Sequence, residues 1–183
     1  MPTVILRPDS TSSQTGWDTS NIHNVIGDNN ESTVTVQNNR TCNWTGSLSD
    51  TGLPSGTAVT NFVISLTAQA GRTGSSTVDV YLNPQSGSSY SATTLSFSSS
   101  ASTQSTSAIT TQQDGSSQLT STYLDNCTLT LDPNNAGTTV KEVYVTVTYP
   151  DTGYGNNVNS VAAANIGKVN DVATADIEKI ISV

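Results

Sequence analysis

Val143-Tyr144-Val145-Thr146-Val147-Thr148-Tyr149 places a valine at every second position and a hydroxyl-bearing side chain between. A period of two sends alternate side chains to opposite faces of a strand, so this stretch predicts a β-strand with one apolar face. The same alternation recurs upstream. Ser32-Thr33-Val34-Thr35-Val36-Gln37 separates valines from threonines, and between Ala58 and Ala70 the residues Val59, Phe62, Ile64, Leu66 and Ala68 share one side over most of the length. Thr77-Val78-Asp79-Val80-Tyr81-Leu82, Thr93-Thr94-Leu95-Ser96-Phe97 and Thr128-Leu129-Thr130-Leu131 follow the pattern. Between these runs lie the turn signals Gly52-Leu53-Pro54-Ser55-Gly56, Gly71-Arg72-Thr73-Gly74, Asn83-Pro84-Gln85-Ser86-Gly87 and Asp132-Pro133-Asn134-Asn135-Ala136-Gly137.

About eight short strands with one apolar face each predict an all-β fold, an antiparallel β-sandwich. A parallel sheet covered on both faces would need apolar runs and helical crossovers, and neither is present. One helical turn is expected at Ser20-Asn21-Ile22-His23-Asn24-Val25-Ile26, with Ser20 as N-cap and Gly27 as terminator. Residues 98–118 lack a period and predict a long loop or a weak edge strand.

Composition narrows the function. Of 183 residues, 27 are Ser and 30 are Thr, while only 11% are charged, so hydroxyls do the solvating that charges usually do. The net charge of −8 and six scattered basic residues argue against nucleic-acid binding, which needs clustered Lys and Arg. No apolar run approaches the roughly 20 residues of a membrane span. The start, Met1-Pro2-Thr3-Val4-Ile5-Leu6-Arg7-Pro8, carries neither a basic leader nor a cleavable apolar stretch, so a non-secreted product made in the cytoplasm is expected.

After Pro150 the character changes. Residues 1–149 form the expected sandwich domain, 150–157 a linker, and 158–183 an eleven-residue repeat. Val158-Asn-Ser-Val-Ala-Ala-Ala-Asn-Ile-Gly-Lys168 and Val169-Asn-Asp-Val-Ala-Thr-Ala-Asp-Ile-Glu-Lys179 agree at seven of eleven positions. Val158, Val161, Ile166, Val169, Val172, Ile177 and Ile180 step by three and four, a spacing that suits a helical stripe with a slight right-handed drift. Val-Asn-Ser-Val and Val-Asn-Asp-Val also suit tight turns, so a helical or mixed appendage is expected. A lone apolar stripe of this length must bury against its own sandwich, a copy of itself, or a partner.

Candidates for chemistry are few. His23 is the only histidine, which leaves no serine triad or histidine metal set and predicts no enzyme. Hard-oxygen ligands for Ca2+ are offered weakly by Asp28 and Glu31 on one loop, and by Asp125 with Asp132. Cys42 and Cys127 sit in strand-like segments and are read as two reduced thiols, with a disulfide as the alternative. Trp44 alternates within a strand and is expected in the core. Trp17, Tyr90 and Tyr154 lie in loop-like contexts and are the candidate contacts for a glycan.

Several short motifs carry a resemblance: Ile5-Leu6-Arg7-Pro8-Asp9, Gly16-Trp17, Ile26-Gly27-Asp28 before Ser32-Thr33-Val34, Leu53-Pro54-Ser55-Gly56-Thr57, Val80-Tyr81-Leu82 and Glu142-Val143-Tyr144-Val145-Thr146-Val147. Together they resemble a jelly-roll-like β-sandwich domain of tailed-bacteriophage virion proteins. The tail resembles the Ile/Val-Asn-Gly-Val-Ala repeats of phage tail-fibre and other virion proteins, cyanophage ones included, with Ser160 and Asp171 standing where Gly is usual. The resemblance implies a structural virion protein without catalytic residues: a capsid decoration (cement) protein or a neck or tail accessory, docked through the repeat. Its partners would be other virion proteins and copies of itself, a homo-oligomer with a trimer as the guess. The alternative is a short fibre or adhesin that binds host polysaccharide.

Overall fold

The computed structural model describes residues 1–30, 32–36, 42–71 and 74–150, and the backbone of 168–169 and 172–173. Residues Thr3–Tyr149 form one compact unit, while Met1–Pro2 and Pro150–Val183 belong to a second.

In the first unit the alternating runs become antiparallel strands. The first sheet has the order β1 (Thr3–Leu6), β10 (Thr139–Thr148), β5 (Asn61–Gln69), β8 (Ser102–Ser105), with β3 (Val34–Thr35) paired to the start of β10. The second runs β2 (Ser13–Thr15), β4 (Asn43–Ser47), β9 (Thr128–Pro133), β6 (Ser75–Asn83), β7 (Thr93–Ser98). Leaving out β2 and β3, the remaining eight strands follow the double Greek key of a jelly roll. The two sheets interleave in sequence, and β1 lies against β10, joining the two ends of the domain: Thr3 pairs with Thr148 and Leu6 with Val145. The weak edge strand expected within 98–118 is β8, on the rim of the first sheet.

Inward-facing residues of both sheets meet in one core that includes Trp44, Phe62, Ile64, Leu66, Leu129, Leu131, Val143, Val145 and Val147, all buried. Each such aliphatic side chain contributes roughly 1.5–3 kcal/mol by leaving water. The valine row of β10 changes phase once. Val140 and Val143 both face inward because the register with β5 slips between Val140 and Glu142, a bulge that gives Lys141 no partner position on β5.

Some of the Ser and Thr residues pair their hydroxyls across the ladders. Thr45 and Thr130 are register partners with hydroxyls 2.8 Å apart, as are Thr67 and Thr103 at 2.8 Å, Ser65 and Ser105 at 2.9 Å, and Thr35 and Thr139 at 3.2 Å. Cross-strand hydroxyl pairs stabilise a sheet modestly, and here they repeat.

Two short helices are present among the described residues. α1 (His23–Ile26) ends at Gly27 as expected, but Ile22 caps its start, not Ser20, because Asn21 turns left-handed at φ 53 and breaks the turn there. Gly27 is required by closeness: a Cβ there would lie 2.6 Å from the Pro8 carbonyl oxygen. α2 (Ser121–Asp125), which the sequence pattern did not suggest, is capped by Thr120, whose hydroxyl accepts from Tyr123 N at 3.2 Å.

In the second unit the described backbone is extended at four positions of the expected helical or mixed appendage. β11 (Lys168–Val169) and β12 (Val172–Ala173) form an antiparallel ladder, with Val169 opposite Val172 and Lys168 opposite Ala173. Valines three apart, which would share a helix face, are instead directly paired across two intervening residues. The β-branched side chains of Val169 and Val172 favour extended backbone. Val158, Val161, Ile166, Ile177 and Ile180 lie outside the described residues.

Gly46 tests the tightness of the core. A Cβ at this strand position would meet the backbone oxygen of Ser10 at 2.0 Å and the ring of the fully buried Trp44 at 2.4 Å. Gly46→Ala should lower stability by roughly 2–3 kcal/mol, read as a fall in urea midpoint at unchanged slope.

Candidate functional site

A hollow of about 270 Å3 lies on the sandwich. On one side the β6–β7 loop contributes Pro84, Gln85 and Ser86; on the other, the cap and body of α2 contribute Thr120, Thr122, Tyr123 and Asn126. Local folding fixes both walls. The loop closes on itself through Tyr90 N donating to Leu82 O at 3.0 Å and Ser89 Oγ donating to Asn83 Oδ1 at 2.6 Å. α2 is tied to the β4–β5 connection: Ser121 Oγ donates to Pro54 O at 2.8 Å, Ser121 N to Thr57 O at 2.9 Å, and Gly56 N to Thr122 Oγ1 at 2.9 Å.

Behind the hollow is an aromatic chain. Tyr90 stands edge-on to Phe62 with centroids 5.5 Å apart, and edge-on to Tyr123 at 6.5 Å. The Tyr90 hydroxyl donates to Thr111 O at 3.0 Å, and Tyr123 Oη accepts from Gln113 N at 3.2 Å. Burial, helped by the neighbouring Tyr123 phenol, pushes the Tyr90 phenol well above its ordinary pKa, so it stays neutral.

No lining residue carries a charge, and the nearby carboxylates are engaged elsewhere. Asp125 accepts from Thr51 N at 2.7 Å and from Thr51 Oγ1 at 3.2 Å. Asp114 accepts from the Ser117 hydroxyl and from Ser116 N and Ser117 N, which hold its carboxyl down at about 2. The arrangement suits a neutral ligand with hydroxyls, and it holds no acid–base pair.

The residues singled out from sequence are dispersed. Trp17 is not an exposed platform: its relative exposure is 5%, it belongs to the core, and its Nε1 donates to Asn43 O at 2.8 Å. A short loop can still deliver a side chain inward, because Trp17 bridges to Val36 and is held against the body. Tyr90 is partly buried and supports the hollow without lining it. Tyr154 lies outside the described residues. His23 is a packing residue: its Nδ1 is 2.8 Å from Thr11 Oγ1, which also accepts from Trp44 Nε1 at 3.0 Å.

Of the Ca2+ candidates, Asp125 and Asp132 are not brought together. Asp28 Oδ1 accepts from Asn30 N at 3.0 Å in a local turn, and Glu31 lies outside the described residues. Asp125 ends α2, ahead of β9, and Asp132 lies near the far end of β9. Among the described residues no three His, Cys, Asp or Glu side chains form a metal-holding group. Asp132 faces Asp79 across the β6–β9 ladder. Partial burial, then the Asp79 charge, raises its pKa.

The disulfide alternative fails on register. Trp44 pairs with Leu131 and Ser47 with Thr128, so Cys42 and Cys127 flank opposite ends of this ladder, about six positions or roughly 20 Å apart along the strands. A disulfide needs Cα atoms within about 7 Å. Both thiols are free and buried, Cys42 Sγ donating to Pro133 O and Cys127 Sγ to Tyr123 O, each at 3.2 Å. Burial, with Asp132 and Asp125 respectively as second causes, pushes them up to about 11 and about 12.

No protein-family model matches the chain, and no curated protein matches it. Among solved structures it is similar to the C-terminal CBM6 of LamC, a marine laminarinase from Zobellia galactanivorans, at 12% identity and a TM-score of 0.44, over 80% of this chain and 99% of that one. That likeness is too slight to assign a ligand. No described helix is long and apolar enough to cross a membrane.

Two outcomes follow. Native protein at pH 8 should alkylate slowly with iodoacetamide and take two labels per chain once denatured, because the thiolate is the nucleophile. A non-reducing mass two hydrogens short would contradict this. For Asp132, a folded pKa above the unfolded one means stability is present below the unfolded pKa and lost as pH rises through the folded one. Asp132→Asn should therefore raise Tm at pH 7, and the gain should shrink as pH falls through the carboxylate range.

Proposed function

We propose that the protein is a non-enzymatic structural component of a bacteriophage virion, an exterior accessory of capsid, neck or tail that docks and multimerises through its C-terminal repeat. The observation that carries this reading is the pairing at Val169 and Val172. Two-residue strands cannot sustain an isolated hairpin in water, so the β11–β12 pair needs a surface to lie against. The Val-Asn-x-Val-Ala sequence occurs twice, which suits binding to copies of the chain or to a repeating virion lattice. The motif resemblance supports the same assignment. So does the chemistry of the body, where the described side chains that might react are tied into structural hydrogen bonds: His23 to Thr11, Asp125 to Thr51, and the two thiols to carbonyls.

The second reading, a short fibre or adhesin on host polysaccharide, is favoured by the uncharged hollow beside Tyr123.

Deleting residues 151–183 separates body from appendage. The remaining chain keeps the whole described core and should melt cooperatively, scatter light as a monomer, and fail to enter particles. If it still multimerises and still enters particles, the repeat is not the docking element.

A further inference from the structure

We infer that the hollow between the β6–β7 loop and α2 is a binding site for one neutral sugar unit of an oligosaccharide. Its 270 Å3 is near the lower bound of small-ligand sites, about 300 Å3, which suits a single ring with its neighbours in solvent. The lining has the composition that a pyranose needs. Pro84 and Tyr123 supply apolar surface for the C–H face of a sugar, while Gln85, Ser86 and Asn126 supply donors and acceptors for its hydroxyls; the Thr122 hydroxyl is taken up by Ser55 and Gly56. Asn126 donates through Nδ2 to Thr122 O at 2.7 Å, which fixes the amide and leaves Oδ1 to accept.

Charge selects against acidic sugars. The lining is neutral, Asp114 nearby remains ionised, and the chain carries a net −8. A uronate or sulfated sugar would meet no cation in the hollow and repulsion around it. Preorganisation favours binding as well. α2 is pinned to residues 54–57, and Tyr123 is braced by Tyr90, so little ordering remains to oppose association. This site is independent of the assembly reading. Failure of the tail deletion to block incorporation leaves it standing, and loss of sugar binding leaves assembly standing.

The test is an amide-resolved NMR titration of the full chain with maltohexaose, cellohexaose and, as the anionic control, a galacturonate hexamer. At least one neutral hexamer should shift the amides of residues 85–86 and 120–126 at millimolar concentration, and the galacturonate should not. Gln85→Ala with Asn126→Ala should weaken that binding at least fivefold while incorporation into particles stays unchanged. Gln85→Ala alone, on an exposed loop, should weaken it about two- to fivefold and serves if Asn126→Ala disturbs α2. The proposal is overturned if neither neutral hexamer moves these amides up to 10 mM, if the galacturonate binds there equally well, or if both variants bind like the parent.

Discussion

The jelly roll depends on β10 lying between β1 and β5. Those partners are separated in sequence by more than fifty residues, and β10 arrives last, so no local contact can hold the first sheet until the chain is nearly complete. The valines of β10 turn that topology into a core. They are buried on the face that meets the second sheet, and the bulge at Lys141 keeps Val140 in phase with the other three. Contacts of such long sequence separation close slowly but, once made, tie both ends of the domain together. Hydroxyl pairs then dress the ladders where other proteins would use charges.

The strands were legible because their signal is local. Alternation needs only neighbouring residues, and each long strand shows it: Phe62, Ile64 and Leu66 on β5, Val78 and Val80 on β6, Val143, Val145 and Val147 on β10. What stayed hidden depends on contacts between distant residues. Ser20 resembles an N-cap, yet the left-handed turn at Asn21 moves the start of α1 to Ile22. Trp17 reads as a loop tryptophan until its indole is seen bonded to Asn43, twenty-six positions away. In the tail, Val169 and Val172 fit both a helix step and a hairpin pair, and periodicity alone cannot decide between them.

The candidate site was illegible for the same reason. Gln85 and Asn126 are forty-one residues apart, and neither belongs to a motif. Only the folding of the β6–β7 loop and the docking of α2 on residues 54–57 bring their amides to one hollow. Tyr90, singled out as a possible glycan contact, braces Tyr123 and does not line the hollow. A sign in the sequence was available in Thr120-Ser121-Thr122-Tyr123, a hydroxyl cap before an aromatic, which marks a helix start once the strand pattern fails.

The body offers little for association through its sheet edges. Four of its five described edge strands are short, with four residues in β1, three in β2, two in β3 and four in β8; only β7 reaches six. Short edges are a standard defence against pairing with another chain. Exposed large hydrophobics among the described residues are limited to Met1 and Ile5. A sandwich so closed to lateral contacts needs a separate element if it is to join an assembly, and the proposed docking function therefore falls to the repeat.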